Sequence, residues 1–261
     1  MQVRKAYSQE LAQVYDERHF GGRSGQYILW RDCSALESLL DGPHSLPGME
    51  TRPTILDLPC GTGAYTKAMA EKGRAVVAAD ASLPMLDLAG HAHAARFRVQ
   101  CDIEHLPFKD DSFDAAVTLR LFSHYPKEAV ARMLLELRRV IRPGGRVIFD
   151  SFRWTPRQWP VLRRLVDQNC IYVLSRHDAE AIIAEAGLRQ VEARSLYLFS
   201  PLWQRKLPLW LVHRLTTLES VLPPRWRLRT LWGCTKDPDS AAAGSAKAAA
   251  WLPQSKGGVD S

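Results

Sequence analysis

The sequence predicts an α/β fold: a seven-stranded, mostly parallel sheet with helices on both faces, an N-terminal helical lid and C-terminal cap insertions. Three observations predict it. From Ile55 to Phe152, short β-branched runs alternate with amphipathic stretches, the pattern of parallel strands joined by covering helices. A glycine turn, Gly61-Thr62-Gly63, stands directly between the first strand and the first helix of that region. Aspartates close three successive strands, at Asp57, Asp80 and Asp102, on the edge where open sheets of this kind bind ligands.

Residues 8–40 carry helical patterning, broken at Gly21-Gly22-Arg23-Ser24-Gly25, and residues 41–53 read as a Pro/Gly-containing linker. Residues 1–50 are thus expected to form a lid and linker. Thr54 to Leu58 reads as the first buried strand. Ala64 to Lys72 follows as a helix stopped by Gly73, where a left-handed residue ends the last turn. Ala75 to Ala79 is the second strand, and Ser82 caps a helix carrying Met85, Leu86 and Ala89. Phe97 to Cys101 and Phe113 to Leu119 are the third and fourth strands. Lys127 to Ile141 is the clearest helix, because Val130, Met133, Leu134, Leu137, Val140 and Ile141 share one face. Arg142-Pro143-Gly144-Gly145 reads as its terminating turn, before a fifth strand from Arg146. A helix from Asp178 to Ala186, a strand from Val191 to Phe199 and a last strand from Leu228 to Cys234 complete a domain spanning residues 51–236. Cap insertions near 152–175 and 200–226 are rich in Trp, Arg, Leu and Pro and fit neither period. The Ala/Ser/Gly-rich residues 237–261 cannot bury a core and are expected to be disordered.

Composition narrows the class. With 46% hydrophobic and 24% charged residues the chain is ordinary globular protein. No apolar run reaches the roughly eighteen residues of a membrane span, and the start lacks a secretory pattern, so a cytoplasmic location is expected. Five cysteines stand singly, which argues against a disulfide framework and a metal site. The net charge of +7 suits RNA, an anionic substrate or a membrane surface, or reflects solvated arginines that carry no site information.

Asp57-Leu58-Pro59-Cys60-Gly61-Thr62-Gly63 carries the chemistry. Glycines there let backbone pass close to a ligand. Asp80 is placed to accept both hydroxyls of a ribose. Asp102, followed by Ile103, suits an adenine amino group beside an apolar wall. The turn lacks the third glycine that a dinucleotide pyrophosphate favours.

In this order and spacing the chain resembles the class I S-adenosylmethionine-dependent methyltransferases, especially the broad small-molecule group. The resemblance rests on Ile55 to Gly63, Ala79-Asp80-Ala81-Ser82-Leu83-Pro84-Met85-Leu86, Cys101 to Phe108, Asp111-Ser112-Phe113-Asp114 and Arg142 to Gly145, about 100 residues in all. It implies a Rossmann-like sheet and S-adenosylmethionine as cofactor. Asp57 would orient the loop and approach the methionine amino group. Cys60, Gly61 and Gly63 would run along the cofactor, and Asp80 would bind the ribose. Met85, Asp102 and Ile103 would surround the adenine, with Leu119 and Arg120 near the sulfonium. The family usually has glycine where Pro59 stands, and proline removes an N–H.

Methyl transfer needs alignment and water exclusion, and sometimes proton removal. His124, just past the fourth strand, is the candidate base, with Tyr125 and Arg120 as acceptor-orienting residues. His91 and His93 read as solvated. Tyr15, in Tyr15-Asp16-Glu17-Arg18-His19-Phe20, would close over the cofactor, with Gly21, Gly22 and Gly25 as a hinge. The alternative is a packing helix. The Trp/Arg stretches Arg153 to Trp159 and Pro201 to Trp226 suit a hydrophobic or aromatic acceptor, a membrane surface or stacked bases, or simply cover the sheet. A small-molecule acceptor leads. An RNA or tRNA acceptor, or a binding protein without turnover, is the alternative, and oligomeric state stays open.

Overall fold

The computed structural model describes residues 9–42, 52–91, 95, 97–153, 172–198, 201–204 and 206–237. Three helices lead: α1 (Gln9–Gln13), α2 (Tyr15–Phe20) and α3 (Gly22–Asp41). The alternating region follows as β1 (Thr54–Asp57), α4 (Ala64–Glu71), β2 (Ala75–Asp80), α5 (Leu83–His91), β3 (Phe97–Gln100) and β4 (Phe113–Thr118). A 3₁₀ turn, Phe122–His124, leads to α6 (Lys127–Val140) and β5 (Ile141–Phe152). The remainder comprises α7 (Arg176–Glu185), β6 (Leu188–Leu196), α8 (Pro201–Gln204), α9 (Leu209–Val221), a 3₁₀ turn at Pro224–Trp226 and β7 (Arg229–Lys236).

The strands form one seven-stranded sheet in the order β3-β2-β1-β4-β5-β7-β6. Strands β1 to β5 run parallel, and β7 is antiparallel to both β5 and β6. The order reverses at β1, which pairs β2 on one side and β4 on the other. A crevice opens at such a reversal beyond the carboxyl ends of the strands.

Central strands are apolar because both faces are covered. Ile55, Val76, Ala115, Val117, Ile148 and Leu231 pack on the side of α3 and α4. Leu56, Ala116, Val147, Phe149 and Trp232 pack on the side of α6 and α7. The face expected on α6 is buried there through Val130, Met133, Leu134, Leu137 and Val140. Helix α7 is capped by Ser175, whose hydroxyl accepts the Asp178 N–H at 3.0 Å, satisfying one orphan donor of its first turn.

Several expectations are corrected. Arg142 to Gly145 does not separate α6 from the strand. Strand β5 begins at Ile141, and these residues bulge, since Phe113 pairs Ile141 while Ala115 pairs Arg146. Turn residues can thus be absorbed as a β-bulge. Gly25 lies inside α3, and the break between α2 and α3 falls at Gly21 and the left-handed Gly22 (φ +68°). At Gly25 a Cβ would come within 2.5 Å of the Phe20 backbone, so this glycine permits close helix packing. Residues 200–226 hold α8 and α9 rather than irregular structure. The sixth strand is Leu188–Leu196, earlier than Val191 to Phe199. The positive charge is partly internal: Arg31, Arg74, Arg146 and Arg229 are buried. Residues 43–51 of the linker expected at 41–53, residues 154–171 of the first cap with Trp154 and Trp159, His93, and the tail from 238 lie outside the described residues.

Candidate functional site

The glycine turn is held open by its neighbours. Beyond β1 the Leu58–Pro59 peptide is cis. Leu58 N–H donates to Val117 O at 2.9 Å and Cys60 N–H to Ala79 O at 2.8 Å. The loop is thus strung between β4 and β2 by the residues either side of Pro59, so proline's missing N–H leaves both anchors intact. Gly61 (φ +54°) has nothing within 4 Å of where a Cβ would project. A left-handed residue beside open space is what a ligand passing along the backbone requires. Gly63 is also left-handed (φ +88°) and sits against Ala89 of α5.

Asp80 ties this loop to β2. One carboxylate oxygen accepts the Gly61 N–H at 2.9 Å and the other the Ser82 N–H at 2.9 Å. Burial raises its pKa, against these backbone donors. Two carboxylate oxygens offer about four acceptor sites, so capacity remains for ligand hydroxyls. Asp57 is buried, and its carboxylate accepts the Thr66 hydroxyl. Burial pushes its carboxyl up to about 7, with the Asp80 charge adding to the rise and the Thr66 bond opposing it. Met85 and Ile103 are buried beside this rim. Asp102 accepts the Glu104 N–H at 3.1 Å and forms an isolated bridge with His105.

Across the crevice, Leu119 is buried and Arg120 is left-handed at φ +64°. The Arg120 N–H donates to an Asp150 oxygen at 2.6 Å. Its guanidinium stands 5.2 Å over the Phe20 ring, and its Nη1 is buried without a hydrogen-bond partner among the described residues. His124 closes the following 3₁₀ turn. Burial lowers its pKa, opposed by Asp150 and assisted by Arg120. This environment favours the neutral imidazole, the form that can take a proton. Tyr125 is half-buried against the α6 core.

Helix α2 meets the loop directly: the Thr62 hydroxyl donates to Asp16 at 2.5 Å. Tyr15 stacks on His19 at 4.1 Å between ring centroids, and its phenol lies close enough to Arg120 to affect that charge. The N-terminal helices thus cover the crevice between the glycine turn and the end of β4.

Four residues that the structure brings to the candidate site were not singled out from the sequence: Asp16, Asp32, Asp150 and Arg229. Asp16 stood in the lid segment, and its carboxylate there was a usable signal. The others join across the chain. Asp32 accepts the Tyr65 hydroxyl at 2.8 Å, the Tyr197 hydroxyl at 2.7 Å and Arg229 Nη1 at 2.8 Å. Burial raises the Asp32 pKa, but Arg229 and Tyr197 beside it hold it below the usual range. Arg229 Nε also donates to Asp150 at 2.5 Å.

In the second cap Trp210 is 67% and Trp226 50% exposed, so these two do not cover the sheet; the buried Trp232 belongs to β7. A cavity of about 280 Å³ opens at the ends of β5, β6 and β7, floored by Trp232 and Leu174, with Arg153, Arg176 and Arg225 around it. Backbone bonds from Tyr172 to Ser123 and from Leu174 to Phe152 run from the His124 turn to this cavity. Among the described residues, no cluster of His, Cys, Asp or Glu could hold a metal, and no helix is long and apolar enough to cross a membrane.

Residues 56–149 match the family model described as a methyltransferase domain. The chain is 42% identical over 116 residues to demethylmenaquinone methyltransferase of Clavibacter sepedonicus, covering 43% of this chain and 46% of that protein. It is 32% identical over 170 residues to demethylmenaquinone methyltransferase of Streptomyces griseus, covering 62% of this chain and 68% of that protein. The chain spans less than half the length of several curated relatives it matches. Its fold aligns with magnesium protoporphyrin IX methyltransferase of Synechocystis PCC 6803, solved with bound S-adenosylhomocysteine, at a TM-score of 0.62 and 16% identity, over 90% of this chain and 98% of that one.

Proposed function

Because the chain belongs to the class I S-adenosylmethionine-dependent methyltransferase superfamily, we propose that it transfers the methyl group of S-adenosylmethionine to a small hydrophobic or aromatic acceptor. The observation that carries this reading is the left-handed Gly61 beside open space, its N–H held by the Asp80 carboxylate. The residues fit the cofactor. Asp80 would accept the ribose hydroxyls. Met85 and Ile103 would flank the adenine, with Asp102 at its amino group. The loop from Cys60 to Gly63 would run along the amino-acid tail, with Asp57 toward its ammonium.

The bound cofactor supplies a methyl group already activated on a sulfonium. The protein's part is alignment and dryness. Leu119 gives the reacting region an apolar wall. Tyr15 and α2, latched through Asp16 to Thr62, exclude water. His124 takes the proton from an acceptor oxygen or nitrogen as that atom is methylated, its lowered pKa keeping the imidazole available. Arg120 orients the acceptor and favours one with partial negative charge. The cavity reached from the His124 turn, with its Trp232 floor and arginine rim, would hold the acceptor's apolar body. The names of the relatives, which act on demethylmenaquinone, support a small-molecule acceptor.

Calorimetric titration with S-adenosylhomocysteine tests the reading. Micromolar binding to the wild type that Asp80→Ala abolishes is expected. A folded wild-type protein that binds neither S-adenosylhomocysteine nor S-adenosylmethionine would overturn it.

A further inference from the structure

The left-handed backbone at Arg120 needs a cause. A non-glycine residue there suffers a Cβ–carbonyl clash, and such conformations persist only where surrounding structure over-determines them. Arg120 has no alternative role in secondary structure, since β4 ends at Thr118. Its N–H is instead captured by buried Asp150 at 2.6 Å. The other Asp150 oxygen is captured by Arg229 Nε, and Arg229 reaches on to Asp32 of α3. Asp32 accepts the hydroxyl of Tyr65, the second residue of α4, directly behind the glycine turn.

This chain of contacts therefore joins the two walls of the crevice. One wall is the glycine turn with α4, and the other is the turn from Leu119 to His124. The walls stand on adjacent strands, since Asp57 of β1 pairs Val117 of β4, so a small change in their separation would be felt by anything between them. Asp32, Asp150 and Arg229 are each no more than 3% exposed. All three lie outside the residues 56–149 that match the family model.

We propose that Asp150 and Arg229, anchored by Asp32, are positioning residues that clamp the Leu119–His124 turn at a set distance from the glycine turn and so hold open the subsite for the amino-acid tail of the cofactor. This rests on the function proposed above. Arginine suits the position because its rigid planar fork presents separate donors, Nε to Asp150 and Nη1 to Asp32, in fixed directions. The adenine and ribose subsite, built on β2, α5 and β3, lies on the other side of β1 and is not spanned by the clamp.

The test compares two ligands and one amide. S-adenosylhomocysteine carries the amino-acid tail, and methylthioadenosine lacks it. In Arg229→Met, affinity for S-adenosylhomocysteine is expected to fall about tenfold or more while methylthioadenosine changes less than about twofold. Asp150→Asn keeps the shape, breaks one arm of the clamp and reads the same difference if Arg229→Met does not fold. Hydrogen exchange at the Arg120 amide should accelerate about tenfold or more in Asp150→Asn beyond the change seen at core amides that report global stability. A merely structural role would move both affinities together. Equal losses for the two ligands, or no loss with the Arg120 amide as protected as in the wild type, would overturn the proposal. If the wild type binds neither ligand, the proposed function fails, and the Arg120 amide alone decides the clamp.

Discussion

The two walls of the crevice are built by different physics. The wall formed by β1, the glycine turn and β2 is a backbone construction. Its defining contacts are N–H groups donated to Asp80 and to neighbouring strands, between residues close in sequence or on adjacent strands. The wall formed by the end of β4, β5 and β7 is a side-chain construction. There a buried arginine bridges two buried carboxylates contributed by elements far apart along the chain. In the first the Asp80 carboxylate is met by backbone donors that fold up beside it, and the second is stable only as a complete set. A backbone wall should therefore tolerate single substitutions in stability while losing ligand affinity, and the side-chain wall should lose stability, with its effect on affinity confined to the amino-acid tail of the ligand.

The largest effect expected is on stability. Arg229→Met leaves Asp32 and Asp150 buried and uncompensated, which costs about 3–5 kcal/mol, read by urea unfolding. A loss under about 1 kcal/mol would mean that the ion network contributes no more than a surface pair and would erase the contrast. Asp80→Ala should do the opposite, weakening S-adenosylhomocysteine roughly 100-fold by calorimetry with little change in the unfolding midpoint.

That contrast also explains what could be read from the chain alone. The glycine turn and the aspartates at Asp57, Asp80 and Asp102 were legible because a strand, a turn and a carboxylate at the strand end follow one another in sequence. The α6 face was legible from its period. The Asp32–Arg229–Asp150 set was not, because nothing local marks an arginine at the start of β7 as the partner of an aspartate in α3. Its pairing depends on β7 inserting between β5 and β6, which no periodicity encodes. The bulge at Arg142 to Gly145 was misread for a related reason, since turn residues signal a break in direction but not whether the strand resumes its pairing. Helix α9 was missed because its apolar residues are spread around the helix, leaving Trp210, Leu218 and Val221 exposed.

Smaller effects sharpen the comparison within the backbone wall. Burial holds the Asp57 carboxyl up at about 7, above its unfolded value, so it is mainly protonated below about pH 6 and ionised above about pH 8. A ligand ammonium gains only from the ionised form. Affinity for S-adenosylhomocysteine should therefore rise with pH across that window, and the rise should vanish in Asp57→Asn. A flat profile in the wild type would separate Asp57 from the ammonium. The latch between α2 and the loop is weaker still. Thr62→Val removes one hydroxyl donor to an exposed carboxylate and should cost about 1 kcal/mol or less, seen as faster amide exchange over Tyr15–Phe20 and faster ligand release. Unchanged exchange there would make α2 a packing helix rather than a lid. Trp210→Ala, on the solvent side, should leave stability within about 0.5 kcal/mol and cofactor affinity unchanged.

The most direct measurement is a crystal structure of the protein with S-adenosylhomocysteine bound. The account predicts ribose hydroxyls on the Asp80 carboxylate, the thioether passing Gly61, and the amino-acid tail between the glycine turn and the Leu119–His124 turn, with Arg120 still left-handed and bonded to Asp150. A ligand seated elsewhere, or an Arg120 that has left Asp150 while the tail is in place, would contradict it.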